Sequence, residues 1–223
     1  MRFFQVAAAV ARKDLRTELR SREMLPALGQ FAILALLVAN FAFDVDASNS
    51  ARIAPGILWM VLVFAGLVAF GRTFSAERDQ GSLEPLLLSP ASRTAIFAGK
   101  AAAAALMLVA CEAVLLPGLG LFFNTPIISL PLIATLLLAT IGMAGLGCLF
   151  AALAAQTRAR DLLLPVLAIP IWIPFVVAGG RAAQLAMGAG GGGSPNQALA
   201  LLLDFDILFL VAASLTARFV LDD

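Results

Sequence analysis

Six long apolar stretches decide what this chain can fold into. A helix that crosses a bilayer needs about 20 apolar residues, because only a helix satisfies its own backbone hydrogen bonds in lipid. The stretches lie at about residues 25–43, 53–71, 101–123, 129–155, 162–180 and 198–220. Composition agrees, since 61% of the 223 residues are hydrophobic and 13% are charged, against about 25% charged residues in soluble chains. The sequence predicts an all-α integral membrane protein whose single transmembrane domain covers residues 1–223.

The absence of histidine excludes several kinds of active site. The chain has no histidine, and its two cysteines lie inside apolar stretches, so it offers no Ser-His-Asp triad, imidazole zinc site or histidine haem ligand. Its Gly99-Lys100 pair is followed by Ala101 and lacks the upstream glycine of a phosphate-binding loop. A net charge of +1 does not favour nucleic-acid binding. We predict a protein that is not an enzyme, with no metal or cofactor of its own, so that any ATP would be hydrolysed by a partner chain.

The basic residues lie mostly on one side of the predicted membrane. Thirteen of the fifteen lysines and arginines fall before the first span, between spans two and three, between spans four and five, or at the end of span six. Arg52 and Arg181 fall on the other side. Because lysine and arginine concentrate in cytoplasmic segments, both termini and a loop at 72–100 are expected in the cytoplasm. The glycine-rich connection at 181–197 is expected outside.

The first 24 residues resemble an amphipathic helix more than a signal peptide, since charges follow the apolar run at once where a cleavage site would stand. One helical face carries Phe4, Ala8, Ala11, Leu15 and Leu19, and another carries Arg12, Arg16 and Arg20. We predict an interfacial helix over residues 1–24, with its arginines at lipid headgroups. The alternative is a charge cluster that serves only to orient the chain.

The loop at 72–100 contains a short helical pattern. Gly81 can end the helix that continues from span two, and Ser82 is a suitable N-cap residue for a new helix. Leu83, Leu86 and Leu87 then share one face, and Pro90 ends the element. An exposed leucine face suits docking into a partner's groove. The alternative is a helix that rests on lipid.

Within the spans, Glu112 is the residue that most needs explanation. A carboxyl group near the middle of a membrane helix is costly, so it should face protein and often marks function. A structural carboxyl hydrogen-bonded to a neighbouring helix is the alternative. Asp204 and Asp206 lie nearer the external end, where they could simply reach the surface, and two residues apart they point in different directions. The three prolines of span five predict a bent helix, which could serve as a hinge or a cavity wall, or reflect packing alone.

Together these residues resemble the cytochrome c maturation protein B family. The resemblance is carried by Arg52-Ile53-Ala54-Pro55-Gly56-Ile57-Leu58-Trp59 at the start of span two, by Gly81-Ser82-Leu83-Glu84 with Leu86-Leu87-Leu88-Ser89-Pro90, and by Lys100. Length, span order, Glu112 with Pro117, and the proline-rich fifth span extend it over nearly the whole chain.

The resemblance implies an ABC-2-type exporter permease fold and a subunit of the haem-handling ABC complex of cytochrome c maturation, in the bacterial inner membrane. It implies as partners two copies of a cytoplasmic ATPase that binds ATP and magnesium, a second copy of this chain, a haem-handling membrane subunit, a small accessory membrane subunit and a periplasmic haem chaperone. The residues it assigns to ATPase coupling are Glu77, Gly81, Ser82, Leu83, Glu84, Leu86 and Leu87. Those it suggests for function within the membrane are Pro55, Trp59, Glu112 and Pro117.

Two other functions share parts of this pattern. An ABC-2-type permease that exports another lipid, a glycan or a drug would have the same architecture, so the opening of span two is what distinguishes the haem complex. A membrane scaffold that organises the haem-handling subunit without moving a substrate is the second. Association with an ATPase, and stimulation of its activity, would separate a transporter from such a scaffold.

Overall fold

The computed structural model describes residues 3–43, 49–79, 92–157, 159–189 and 193–220, without the side chains of residues 75–79, 160–161 and 218–220. These residues form helices and their connections, and none of them forms a strand. The helices are α1 (Phe3–Ser21), α2 (Met24–Ala42), α3 (Ser50–Asp79), α4 (Arg93–Phe123), α5 (Leu130–Ala155), α6 (Arg160–Ala186) and α7 (Pro195–Val220).

Six of these helices, α2 to α7, are long and apolar enough to cross a membrane. Each predicted span falls on one of them, so the predicted all-α class with six membrane helices is confirmed. Helix α1 precedes them and is rich in charge, as the sequence predicts for the N-terminal segment.

Four of the membrane helices, α3, α4, α6 and α7, are longer than the predicted spans. Helix α3 continues to Asp79 and α4 already begins at Arg93, so most of the predicted loop at 72–100 is helical. Likewise α6 continues to Ala186 and α7 begins at Pro195, which shortens the predicted connection at 181–197. The second and fifth predicted spans end just before Arg72 and Arg181, whereas the helical backbone hydrogen bonds continue past these charges. The 30 residues of α3 extend about 45 Å, well beyond a hydrocarbon core of about 30 Å.

Helix α5 occupies the centre of the bundle, while α2 and α7 lie at its periphery with most of their surface exposed. Small residues on α5 allow the neighbouring helices to approach closely. Gly142 faces Phe175 of α6, Gly145 faces Leu210 of α7, and Gly147 faces Phe70 of α3. In lipid such close packing holds helices together where the hydrophobic effect cannot.

The connection between α4 and α5 sets the register of this antiparallel pair. Asn124 ends α4 in the left-handed region, with φ of 47°. Ser129 is the N-cap of α5, and its hydroxyl accepts a hydrogen bond from the Leu132 backbone N–H at 3.4 Å. Glu112 and Thr140 lie about equally far from this turn, so the register places them opposite each other.

Candidate functional site

Lys100 holds three helices together at the α1 end of the bundle. It lies in the first turns of α4, and its side chain is fully buried. The ammonium donates to the Thr73 carbonyl of α3 at 2.7 Å and to Asp14 Oδ2 of α1 at 3.3 Å. It also lies 4.8 Å from the centroid of the Phe74 ring, within the range of a cation–π contact. We call Asp14, Thr73, Phe74 and Lys100 the three-helix junction.

The junction lies beside the connection that carries the predicted coupling residues. Thr73 is six residues before the end of α3 at Asp79, and Lys100 is seven residues after the start of α4 at Arg93. These two helices flank residues 80–91. Any force applied to that connection therefore reaches α3 and α4 within two helical turns of their linkage through Lys100.

Helix α1 packs closely on α4 beside the same residue. A Cβ atom on Gly99 would lie 2.6 Å from the Ala7 carbonyl oxygen and 2.8 Å from Val10 Cβ, distances that a side chain could not occupy without displacing α1. Val6 and Val10 of α1 form a small apolar cluster with residues of the first turn of α4. Apolar packing and the Lys100–Asp14 ion pair therefore fix α1 to α4 together.

A second link joins the turn between α1 and α2 to α3. Glu18 Oε1 accepts a hydrogen bond from the Met24 backbone N–H at 2.7 Å, and Arg22 adopts a φ of 54° in this turn. Arg72 Nη2 of α3 donates to Glu23 Oε2 at 2.8 Å. Both partners of this ion pair are exposed, so it contributes at most about 1 kcal/mol, but it adds a second contact between this turn and α3.

The surface of α1 that packs on the bundle overlaps the predicted apolar face only in part. The packing stripe contains Val6, Val10 and Asp14 together with Ala11 and Leu15 of the predicted face, whereas Phe4 is 82% exposed and Leu19 is 60% exposed. The predicted basic residues, Arg12, Arg16 and Arg20, are also exposed. Helix α1 thus packs on protein with one side, while Phe4, Ala8 and Leu19 of the predicted face and the basic residues stay exposed.

The predicted ATPase-coupling residues lie mostly outside the described part of the chain. This holds for Gly81, Ser82, Leu83, Glu84, Leu86 and Leu87. Glu77 belongs to α3, but its side chain is also outside the description. Their assignment therefore stays a prediction.

Glu112 is buried in the middle of α4 and faces α5. The Thr140 hydroxyl donates a hydrogen bond to Glu112 Oε1 at 2.5 Å, and both side chains are buried. This neighbouring-helix partner is compatible with both a structural and a functional carboxyl group. Pro117, in the same helix nearer the α4–α5 turn, is exposed.

The expectation that Asp204 and Asp206 simply reach the surface is wrong for Asp206. Asp204 is exposed, but Asp206 is 3% exposed and lies against Gly142 and Phe175. Neither Asp206 oxygen has a hydrogen-bond partner among the described residues. The two aspartates do point in different directions, as their spacing predicts, and this turns Asp206 into the bundle.

The predicted residues at the start of span two, Pro55 and Trp59, are both buried in α3. The Trp59 ring packs on Gly179 and Gly180 of α6, with its Nε1 edge 3.9 Å from the Cβ position of Gly180. They lie at the opposite end of the bundle from Lys100, so the structure does not bring the coupling and intramembrane candidates into one site.

The sequence alone did not identify Asp14, Gly99, Thr140 or Gly142 as site residues. Asp14 could have been noticed as a single acidic residue among Arg12, Lys13 and Arg16. Thr140 could have been found because it lies about as many residues after the α4–α5 turn as Glu112 lies before it. No pattern in the neighbouring sequence indicates that residue 99 must be glycine, because the space for a side chain there is taken by α1.

Six membrane helices, a buried cation that links the helices around a connecting segment, and a buried carboxyl group define a multi-pass helical membrane protein. The family model described as CcmB protein matches residues 5–221. The chain therefore belongs to the CcmB family.

Relatives in three bacteria are similar over most of their length, and each is described as haem exporter protein B. The Paracoccus denitrificans protein is 30% identical over 192 residues, which cover 86% of each chain. The Bradyrhizobium diazoefficiens protein is 31% identical over 180 residues, with 79% of this chain and 80% of the relative covered. The Rhodobacter capsulatus protein is 29% identical over 187 residues, which cover 77% of this chain and 79% of the relative.

Proposed function

We propose that this chain is the membrane permease subunit of an ABC complex that handles haem for cytochrome c maturation. Membership of the CcmB family is the observation that carries the proposal, since the relatives are described as haem exporter protein B. The six membrane helices support a permease subunit. The hydrolysis of ATP belongs to a partner, because the sequence lacks a nucleotide-binding loop of its own.

The charge distribution supports an orientation with both termini and the 80–91 connection in the cytoplasm. Arg72, Arg93 and Lys100 lie at the same end of the bundle as α1, whereas Arg52 and Arg181 lie on the opposite ends of α3 and α6. This matches the usual excess of lysine and arginine on the cytoplasmic side. A bacterial inner membrane is the corresponding location.

The three-helix junction supports a mechanical role for this end of the bundle. Closure of the ATPase dimer would push the leucine face of Leu83, Leu86 and Leu87. Because Lys100 links α3, α4 and α1, the three helices would move as one body and tilt around a dimer seam. This motion would drive release of the haem-loaded periplasmic chaperone.

The proposed complex divides its chemistry among its members. Two ATPase subunits bind ATP and magnesium, a second copy of this chain completes the permease, and haem is the cargo. Since this chain has no histidine, a histidine ligand for haem must come from the haem-handling membrane subunit or the chaperone. A small accessory membrane subunit completes the assembly.

Deletion of the gene tests the haem function directly. We expect c-type cytochromes detected by haem staining to disappear, and to return when the intact gene is supplied. Unchanged staining would overturn the proposal and favour an exporter of another lipid, glycan or drug. Staining that is lost on deletion but persists with an ATPase partner unable to hydrolyse ATP would support a scaffold instead.

Leu86→Asp is expected to weaken binding of the ATPase about tenfold, because a charge in an apolar contact costs more than 1 kcal/mol. Membrane insertion should be unaffected, since residue 86 lies outside the spans. Leu88→Asp is the matched control, because Leu88 lies off the predicted leucine face. Co-purification of the ATPase at wild-type levels with Leu86→Asp would count against the coupling assignment.

A further inference from the structure

A lateral groove between α3 and α6 lies in the half of the bundle away from α1. Its volume is about 740 Å³, and it is lined mainly by apolar side chains. Phe64 is exposed in its lining, which also includes the buried rings of Trp59 and Trp172. Gly56 leaves the groove open, and Arg181 lies at its outer end. We call it the α3–α6 groove.

The length of the groove matches one leaflet of a bilayer. From Ile169 near the middle of α6 to Arg181 near its end, the lining residues span 12 positions, or about 18 Å of helix. Half of a hydrocarbon core is about 15 Å. An acyl chain lying in the groove would therefore run from the middle of the bilayer to the level of the headgroups.

The polar groups of the groove lie at its outer end. Arg181 is exposed, and it is the one charged residue among the described residues of the lining, with Gln184 one turn further along α6. A guanidinium group forms paired hydrogen bonds with a phosphate. Trp59 Nε1 has no acceptor within the described part of the chain, and its edge lies beside Gly180 of the same groove.

We propose that the α3–α6 groove binds a phospholipid of the leaflet away from α1. The phosphate pairs with Arg181, and one acyl chain lies along the exposed side chains of Phe64, Ile169 and Ile173. Charge complementarity favours this occupant, because one cation matches the single negative charge of a phosphodiester. A haem would bring two propionates, and the described lining supplies one cation for them.

Photo-cross-linking of the purified full-length chain tests the site. The probe is phosphatidylglycerol with a diazirine near the end of one acyl chain, and the labelled peptides are identified by mass spectrometry. Wild-type protein should be labelled mainly on the groove residues of α3 and α6 near the bilayer middle. Arg181→Gln should weaken this labelling roughly tenfold, because it removes the charged partner of the phosphate.

Two controls separate the groove from general contact with lipid. Arg52→Gln removes an exposed arginine at the same end of the bundle, outside the groove, and should leave labelling unchanged. Gly56→Leu should abolish the groove labelling without unfolding, because no atom lies within 4 Å of its Cβ position and the side chain would fill the groove. Gly29→Leu, equally unobstructed on α2, should have no effect.

Four results would overturn the proposal. Labelling spread evenly over all the exposed helix faces would show that the groove is not a specific site. Equal labelling of Arg181→Gln and Arg52→Gln would show that Arg181 does not bind the phosphate. Haem that displaces the probe at stoichiometric concentration, with a shifted Soret band that Gly56→Leu abolishes, would assign the groove to a porphyrin. A disulfide that links two copies of the Ile173→Cys variant, formed in place of labelling, would assign the groove to a second copy.

Discussion

Lys100→Met is expected to lower the free energy of unfolding by about 3 kcal/mol. Removing one partner of a buried ion pair typically costs about 3–5 kcal/mol, because the other charge stays buried. Here Asp14 would retain Lys13 at 3.1 Å, which places the cost at the lower end of that range. The Thr73 carbonyl would also lose its contact with the ammonium, and Phe74 its cation.

Unfolding by titration with SDS measures this change, because the fluorescence of Trp59 and Trp172, both buried, reports on the core. Lys13→Met is the control: Lys13 bonds the same aspartate but is 49% exposed, so its loss should cost less than about 1 kcal/mol. If the Lys13 and Lys100 variants lose equal stability, the burial of Lys100 has no energetic consequence.

The double variant Asp14→Asn with Lys100→Met separates charge from packing. It removes the cation and the carboxylate together, so no uncompensated buried charge remains. We expect it to recover part of the stability that Lys100→Met loses. A double variant that is less stable than Lys100→Met would mean that the main role of Asp14 is something other than pairing with Lys100.

The number and order of the membrane helices could be predicted from the sequence because lipid leaves few alternatives. An uncharged apolar stretch of about 20 residues can satisfy its backbone in a bilayer only as a helix. The ends of the helices could not be predicted in the same way. Arg72 and Arg181 mark the end of the apolar stretch, but the helices α3 and α6 continue beyond them.

Lys100 shows why the site was less predictable than the fold. Its position after a loop indicated a cytoplasmic charge, whereas the structure buries it completely. Its partner Asp14 is 86 residues away in the sequence, and no local pattern relates the two. Only the packing of α1 across Gly99 brings the carboxylate to the ammonium.

The two buried acids show the same contrast. Glu112 stands out in the sequence because it interrupts an apolar stretch, and its partner on a neighbouring helix is Thr140, which the α4–α5 turn places opposite it. The distance of Asp206 from the end of its span predicts exposure, but the side chain is buried. Its burial depends on the helix face on which it lies, because the face of α7 that carries Asp206 packs against Gly142.

Glu112→Gln is expected to lower c-type cytochrome formation about tenfold while the protein stays assembled, if the proposed function is right. The glutamine keeps a side-chain oxygen that can accept the hydrogen bond from Thr140, so the contact between α4 and α5 should survive. What it removes is a group that can carry a negative charge within the bundle, where charge interactions are strongest. A charged hydrogen-bond partner is worth about 1.5 kcal/mol or more, which is about tenfold.

Thr140→Val distinguishes a functional carboxyl group from a structural one. Valine has nearly the shape of threonine, but it leaves Glu112 without the hydroxyl that donates to it. Loss of this buried partner should cost about 1–3 kcal/mol of stability. A functional Glu112 therefore predicts low cytochrome levels with normal SDS stability for Glu112→Gln, and reduced stability for Thr140→Val. Normal haem staining in the Glu112→Gln strain would leave Glu112 with a structural role, in which its hydrogen bond to Thr140 holds α4 against α5.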